Sequence, residues 1–177
     1  GGIFQHFEAN GGVGVISPWN FPAAIPLISV SNALAAGLPV ILKPSENSPL
    51  IAIEIAKIFW HLLEMRGYPK AVWQLLMTDD AAISRRLVLD LRVKIVSFTG
   101  SKRVGLEISS LAADRTTLTE MGGTNAYVIA TDADPDQAIS NLQNGAFGYS
   151  GQRCSHIQNL FVPRQRLEFY KQHLIEM

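Results

Sequence analysis

The chain has 177 residues, 47% apolar and 17% charged, with 15 Lys and Arg balancing 15 Asp and Glu. That length holds one domain of ~100–200 residues, or one plus part of a second, and the composition excludes disorder and collagen-like repeats. Zero net charge leaves no basic surplus to neutralise nucleic-acid phosphates, and the one cysteine, Cys154, excludes an internal disulfide.

Residues 9–42 carry no charge at all, a run long enough to span a bilayer. Pro18, Pro22, Pro26, Gly37 and Pro39 break it, and Ser29, Ser31 and Asn32 interrupt its apolar character. No clean stretch of ~20 apolar residues survives, so a buried strand–turn–helix–strand is expected and a membrane partner is not. Gly1-Gly2-Ile3-Phe4-Gln5 lacks the basic and apolar regions of a signal peptide. The lone thiol fits a reducing compartment, and a cytoplasmic location is expected.

The pattern predicts strands at 13–17 and 39–43 with a helix between them at 27–36, closed by Gly37. A helix follows over 49–66, where Ile51, Ile55, Ile58, Phe59 and Leu62 recur at helical spacing behind a Ser48 N-cap. Strands are expected at 71–77, 93–98, 116–119, 125–130 and 157–162. The helices between and after them are expected at 81–89, 101–113, 135–147 and 164–177. This alternation predicts an α/β fold with a mainly parallel sheet and flanking helices.

Several familiar templates fail. Gly12-x-Gly14-x-x-Ser17 lacks the third glycine of a dinucleotide fingerprint, and Leu106 stands where a P-loop after Gly100 and Gly105 needs lysine. Gly148-Tyr149-Ser150-Gly151-Gln152 places its glycine too early for a nucleophile elbow. His6, His61, His156 and His173 have no metal-ligand spacing with Cys154, so no metal is expected.

Four motifs remain, in one order: Pro18-Trp19-Asn20-Phe21-Pro22, Lys43-Pro44-Ser45-Glu46, Phe98-Thr99-Gly100-Ser101 with Gly105, and Glu120-Met121-Gly122-Gly123 followed by Gly151-Gln152-Arg153-Cys154. Together they resemble the aldehyde dehydrogenase superfamily, from about Gly14 to Val162. The resemblance implies a Rossmann-like NAD(P)-binding domain over residues 1–118, incomplete at its N-terminus. It also implies the beginning of a second, catalytic α/β domain over 119–177, incomplete at its C-terminus. A fragment of a longer, homo-oligomeric parent enzyme is the expectation, with activity expected of the parent and not of the isolated chain.

Oxidising an aldehyde needs a tetrahedral carbon that bears an oxyanion and a hydride to give away. A cysteine thiolate makes that centre. Cys154 is the implied nucleophile, although a lone cysteine otherwise reads as a small buried apolar side chain. Asn20 fits a turn between prolines and also a donor that does not titrate. The resemblance implies that Asn20 and the Cys154 N–H form the oxyanion hole. Glu120 matches the family's general base, which activates water against the thioester; its presence favours a free acid over transfer to coenzyme A.

Lys43 and Glu46 follow a predicted strand, where α/β sheets place ligands, and the resemblance implies that both hold the adenosine ribose hydroxyls. A carboxylate repels an added 2′-phosphate, so Glu46 leans toward NAD, with NADP left open. Gly100 and Ser101 open a helix whose first amides suit a pyrophosphate. Ile16, Ser17 and Trp19 are expected on the cleft wall, Val104 against the adenine and Gly122 beside the cofactor; core packing accounts for such residues equally well. Arg153 either activates the neighbouring thiol or faces solvent, Lys102 and Arg103 read as a solvated helix start, and His156 reads as structural.

The leading expectation is thus NAD(P)-dependent oxidation of a small aldehyde, with semialdehydes among the candidates. A non-catalytic nucleotide-binding module stays open beside it. So does a cysteine thioesterase, which would use Cys154, Asn20 and Glu120 but need neither Lys43 nor Glu46.

Overall fold

A computed structural model describes residues 10–176, so the amino-terminal pentapeptide and Met177 at the end of the last expected helix lie outside the described residues. The chain divides into two compact units, the first running to Met121 and the second Gly122–Met177.

The first unit holds β1 (Gly12–Ile16), α1 (Ala24–Ala35), β2 (Val40–Lys43), α2 (Pro49–Met65), β3 (Trp73–Leu75), α3 (Ala81–Leu89), β4 (Val93–Gly100), α4 (Lys102–Leu111) and β5 (Thr116–Met121). Its five strands pair in the order β3-β2-β1-β4-β5, all parallel. The sheet is buried by two apolar clusters. One gathers Val15, Val30, Val40, Leu42, Ala56 and Trp73; the other gathers Val88, Val96, Phe98, Ile108 and Ala112. Trp73 is fully buried, edge-on to Phe59 at 4.6 Å between ring centroids, and its carbonyl accepts from Trp60 Nε1 at 2.8 Å.

Local chemistry explains most boundaries. Asp80 caps α3 through Ala82 N at 2.7 Å, and Ser101 caps α4 through Val104 N at 3.4 Å. Gly37 stops α1 at a φ of 77°, with Leu38 N returning to Ala33 O at 2.9 Å. Several expectations shift, these among them. α1 begins three residues early because Pro26 falls in its first turn, where a missing N–H costs nothing. Residues 70–72 form a single 3₁₀ turn, which shortens β3. β4 and β5 each run two residues longer than expected, because they hydrogen-bond to each other as far as Gly100 and Met121. Ser48 stands at the N-cap of α2 without a side-chain cap bond.

Arg115 fastens the α3–β4 joint. Its side chain is 7% exposed, and Nη1 donates to the carbonyls of Val88, Asp90 and Val93 at 3.2, 2.8 and 3.0 Å.

The second unit pairs β6 (Asn125–Val128) in parallel with β7 (Ile157–Phe161), joined through α5 (Pro135–Phe147) and followed by α6 (Leu167–Glu176). Asp134 caps α5 through Gln137 N at 2.9 Å, with Pro135 in the first turn. Ile129, Ala138 and Tyr170 form its core, and Arg166 Nη1 donates to Ala133 O at 3.1 Å.

Candidate active site

In the first unit, chain order reverses at β1: β2 and β3 lie to one side and β4 and β5 to the other. Parallel sheets place ligands in the crevice at that switch point, beyond the carboxyl ends of the strands. A cleft of about 310 Å³ opens there. Ile16 from the end of β1, Lys43 from the end of β2 and Glu46 line it, together with Val104 and Glu107 on α4 and Ser84 and Arg85 on α3.

Lys43 is buried to 11% exposure of its side chain, and its Nζ donates to Glu46 Oε2 at 3.2 Å. The Glu46 carboxyl is held below the usual carboxylate range, first by its own backbone N–H and then by Lys43. Arg85 and Glu107 pair at 3.2 Å from α3 to α4. Spacing in the sequence offers no sign of that bridge, since its two partners sit on separate helices.

Four of the expected residues, Ile16, Lys43, Glu46 and Val104, thus share one cleft. Ser101 heads α4 beside it as the N-cap, preceded by Gly100 at the end of β4. Ser17 is buried just past β1 with no partner for its hydroxyl among the described residues, and Trp19 is 43% exposed. Asn20 is half-buried and hydrogen-bonded or otherwise engaged. Glu120 lies exposed on β5, opposite Thr99 in the register. A larger concavity of about 820 Å³ opens at the N-terminal edge of the same sheet, lined by Gly11, Val40, Ile41, Leu76 and Leu87. None of the expected site residues lines it.

The second unit carries Gly122, exposed, and the loop that presents Cys154. Tyr149, Ser150 and Gly151 run consecutively in the left-handed region, with φ of 58°, 54° and 68°. Gln152 N closes this turn on Tyr149 O at 3.0 Å, and the exposed thiol follows two residues later. Arg153 Nη2 donates to Asn144 Oδ1 at 3.3 Å. Two further residues, unassigned by the motifs, hold the loop. Asn125 Nδ2 donates to the carbonyls of Cys154 and His156 at 2.6 and 3.0 Å. His156 Nδ1 lies 2.7 Å from Arg153 O.

Comparison with known proteins decides the family. The sequence matches the aldehyde dehydrogenase family over residues 2–177. The chain belongs to the aldehyde dehydrogenase family.

Among curated relatives of this family, it is 34% identical over 160 residues to lactaldehyde dehydrogenase of Methanocaldococcus jannaschii, covering 90% of this chain and 35% of that protein. It is 37% identical over 158 residues to 1-pyrroline-5-carboxylate dehydrogenase of Bacillus subtilis, covering 85% and 30%. Solved aldehyde dehydrogenase folds agree. Glyceraldehyde-3-phosphate dehydrogenase GapN of M. jannaschii, complexed with NADP, superposes with a TM-score of 0.91 at 31% identity, covering 96% of this chain and 37% of that one. A betaine aldehyde dehydrogenase variant of Staphylococcus aureus, in complex with NAD+, gives 0.87 at 32% identity, covering 96% and 34%. The chain therefore spans about a third of the length of the relatives it matches.

Proposed function

We propose that this chain supplies the nucleotide cleft and the nucleophile of an NAD(P)-dependent aldehyde dehydrogenase that converts a small aldehyde to its carboxylic acid. The observation that carries the reading is Cys154, the one thiol of the chain, exposed at the end of a braced loop in a member of this family. The unit up to Met121 is read as the nucleotide-binding domain. The unit from Gly122 is read as the start of the catalytic domain.

The cleft fits the adenosine half of a dinucleotide. Glu46 and Lys43 offer an acceptor and a donor to vicinal ribose hydroxyls, and Ile16 and Val104 form an apolar surface for a flat base. The amides of Lys102 and Arg103, in the first turn of α4, have no partner within the helix and suit a pyrophosphate. A pairing of charges inside the cleft leaves Glu46 less repulsive to a 2′-phosphate than a bare carboxylate, so NAD and NADP both stay within reach. Bound NAD(P)+ supplies the hydride acceptor.

The residues of the chain do the rest. Cys154 Sγ, as thiolate, adds to the aldehyde carbon while the carbonyl π pair moves to oxygen. Asn20 Nδ2 and the Cys154 N–H are the donors that the family resemblance assigns to that oxyanion; one such donor is worth about 3–4 kcal/mol in the transition state. When the C–H pair departs as hydride, the oxyanion re-forms C=O and a thioester remains on Cys154. Glu120 takes a proton from water as its oxygen adds to the thioester carbon, and collapse breaks the C–S bond and returns the thiolate. Relatives named for lactaldehyde and for α-ketoglutarate semialdehyde support a reading in which the substrate is a short, polar aldehyde. A homo-oligomeric parent and a cytoplasmic setting belong to the same reading. No helix among the described residues is long and apolar enough to cross a membrane.

A panel of aldehydes with NAD+ and NADP+, assayed on the full-length parent enzyme, tests the proposal. Reduced nucleotide should form and should disappear in Cys154→Ala, and turnover that survives this substitution removes the reading. Calorimetric binding of nucleotide by a protein whose Cys154 resists thiol reagents favours the non-catalytic module instead.

A further inference from the structure

We propose that His156 and Asn125 are positioning residues that clamp the two peptide groups flanking Cys154 and so aim its N–H as an oxyanion donor. The inference rests on the reading of Cys154 as the nucleophile and deepens it.

The N–H of Cys154 shares a peptide plane with the carbonyl of Arg153. That plane is rigid and trans, since the described chain has no cis peptide bond, so the N–H points directly away from the carbonyl oxygen. Whatever fixes Arg153 O therefore fixes the direction of the donor. His156 does so twice: its backbone N donates to Arg153 O at 3.2 Å, and its Nδ1 lies 2.7 Å from the same atom. A carbonyl has no proton to give, so Nδ1 carries the hydrogen. Nε2 then accepts from Gln158 Nε2 at 2.9 Å, which locks both the tautomer and the ring plane.

The peptide on the other side of Cys154 is held by Asn125. Its amide donates to Cys154 O at 2.6 Å and to His156 O at 3.0 Å. Asn125 is the first residue of β6 and pairs with Ile157, after which the register slips. Its side chain thus continues the ladder beyond the start of β7, where backbone pairing has ended, and ties the loop to the sheet. With both flanking peptides held, the Cα–Cβ bond of Cys154 and its N–H keep a fixed mutual direction, the geometry a tetrahedral oxyanion needs.

The 177-residue chain has a single thiol, so the rate that remains in Cys154→Ala, due to amines and imidazoles, is subtracted to leave the rate at Cys154. Acylation by p-nitrophenyl acetate passes through a tetrahedral oxyanion: sulfur bonds to carbon, the π pair moves to oxygen, and collapse expels p-nitrophenolate. Alkylation by iodoacetamide displaces iodide without any oxyanion. The ratio of the two rate constants therefore reads the donor, free of thiol exposure and ionisation.

We expect that ratio to exceed the value for N-acetylcysteine amide by at least about tenfold. His156→Ala and Asn125→Leu should each lower it at least fivefold, with alkylation unchanged within twofold. His156→Asn, whose Nδ2 falls where Nδ1 was, should restore it. Thermal melts identify any variant that has lost its fold, and whichever of His156→Ala and Asn125→Leu stays folded then carries the comparison. A ratio that neither His156→Ala nor Asn125→Leu alters overturns the clamp and leaves the nucleophile standing. If the unaltered chain matches the free amide, the Cys154 N–H is not an aimed oxyanion donor and the clamp falls, while the nucleophile reading is judged separately by turnover in Cys154→Ala.

Discussion

Lys43 and Glu46 make the cleft's charge depend on each other. A carboxyl held below its unfolded value, near 4.3, contributes its stabilisation fully above that pH and loses it as pH falls through the lower, folded value. Glu46→Gln should therefore lower the melting temperature by a constant amount across neutral pH, and the difference should vanish in acid. A difference that grows on acidification contradicts the pairing. Arg115 is the stronger case, because its guanidinium is buried and satisfies three carbonyls at once. Arg115→Met leaves all three without that donor and should cost about 3 kcal/mol, read as a lower denaturant midpoint at constant slope. Residues of this kind were the hardest to read from sequence. Asn125 reaches carbonyls 29 and 31 positions away, and Arg115 reaches one 22 positions away. No periodicity or short motif encodes such pairs. Lys43, Glu46 and Cys154 could be singled out because each sits inside a short contiguous motif, and the cleft shared by the first two and the exposure of the third are what the structure adds.

At the scale of elements, capping and periodicity made much of the fold legible. α3 and α5 begin and end where expected, since Asp80 and Asp134 cap them and Pro135 opens the latter. β4 and β5 outran expectation because strand ends are set by the neighbouring strand, which local composition does not report. Two glycines show how an element can require the same residue for opposite reasons. A Cβ at Gly67 would meet nothing within 4 Å, yet φ is +74°, so only the backbone forbids it. At Gly105, in α4, a Cβ would stand 2.5 Å from Met121 Sδ, 2.8 Å from its Cγ and 3.2 Å from the Phe98 ring. Alanine there gains about 1 kcal/mol of helix propensity, but overpacking against β4 and β5 costs about 1–3 kcal/mol. Gly105→Ala should therefore lower the melting temperature, and a rise would show that Met121 gives way freely.

At the scale of the whole molecule, the two units differ in how much they bury. Five strands packed on both faces enclose Val15, Leu42, Val96 and Trp73, whereas a pair of strands beside α5 encloses Ile129, Ala138 and Tyr170. Two-stranded sheets are marginal without further packing. Amide exchange should accordingly be slowest in β1, β2 and β4 and faster in β6 and β7, and mass-resolved exchange with the reverse order would contradict this ranking. The strand order β3-β2-β1-β4-β5 has a last consequence. Because the chain winds outward from β1 in both directions, the gap beyond the carboxyl end of β1 is a product of connectivity, and no single side chain makes it. Divergence among descendants of this sequence can rewrite the side chains that line it. Moving the berth itself would require the strands to be threaded anew.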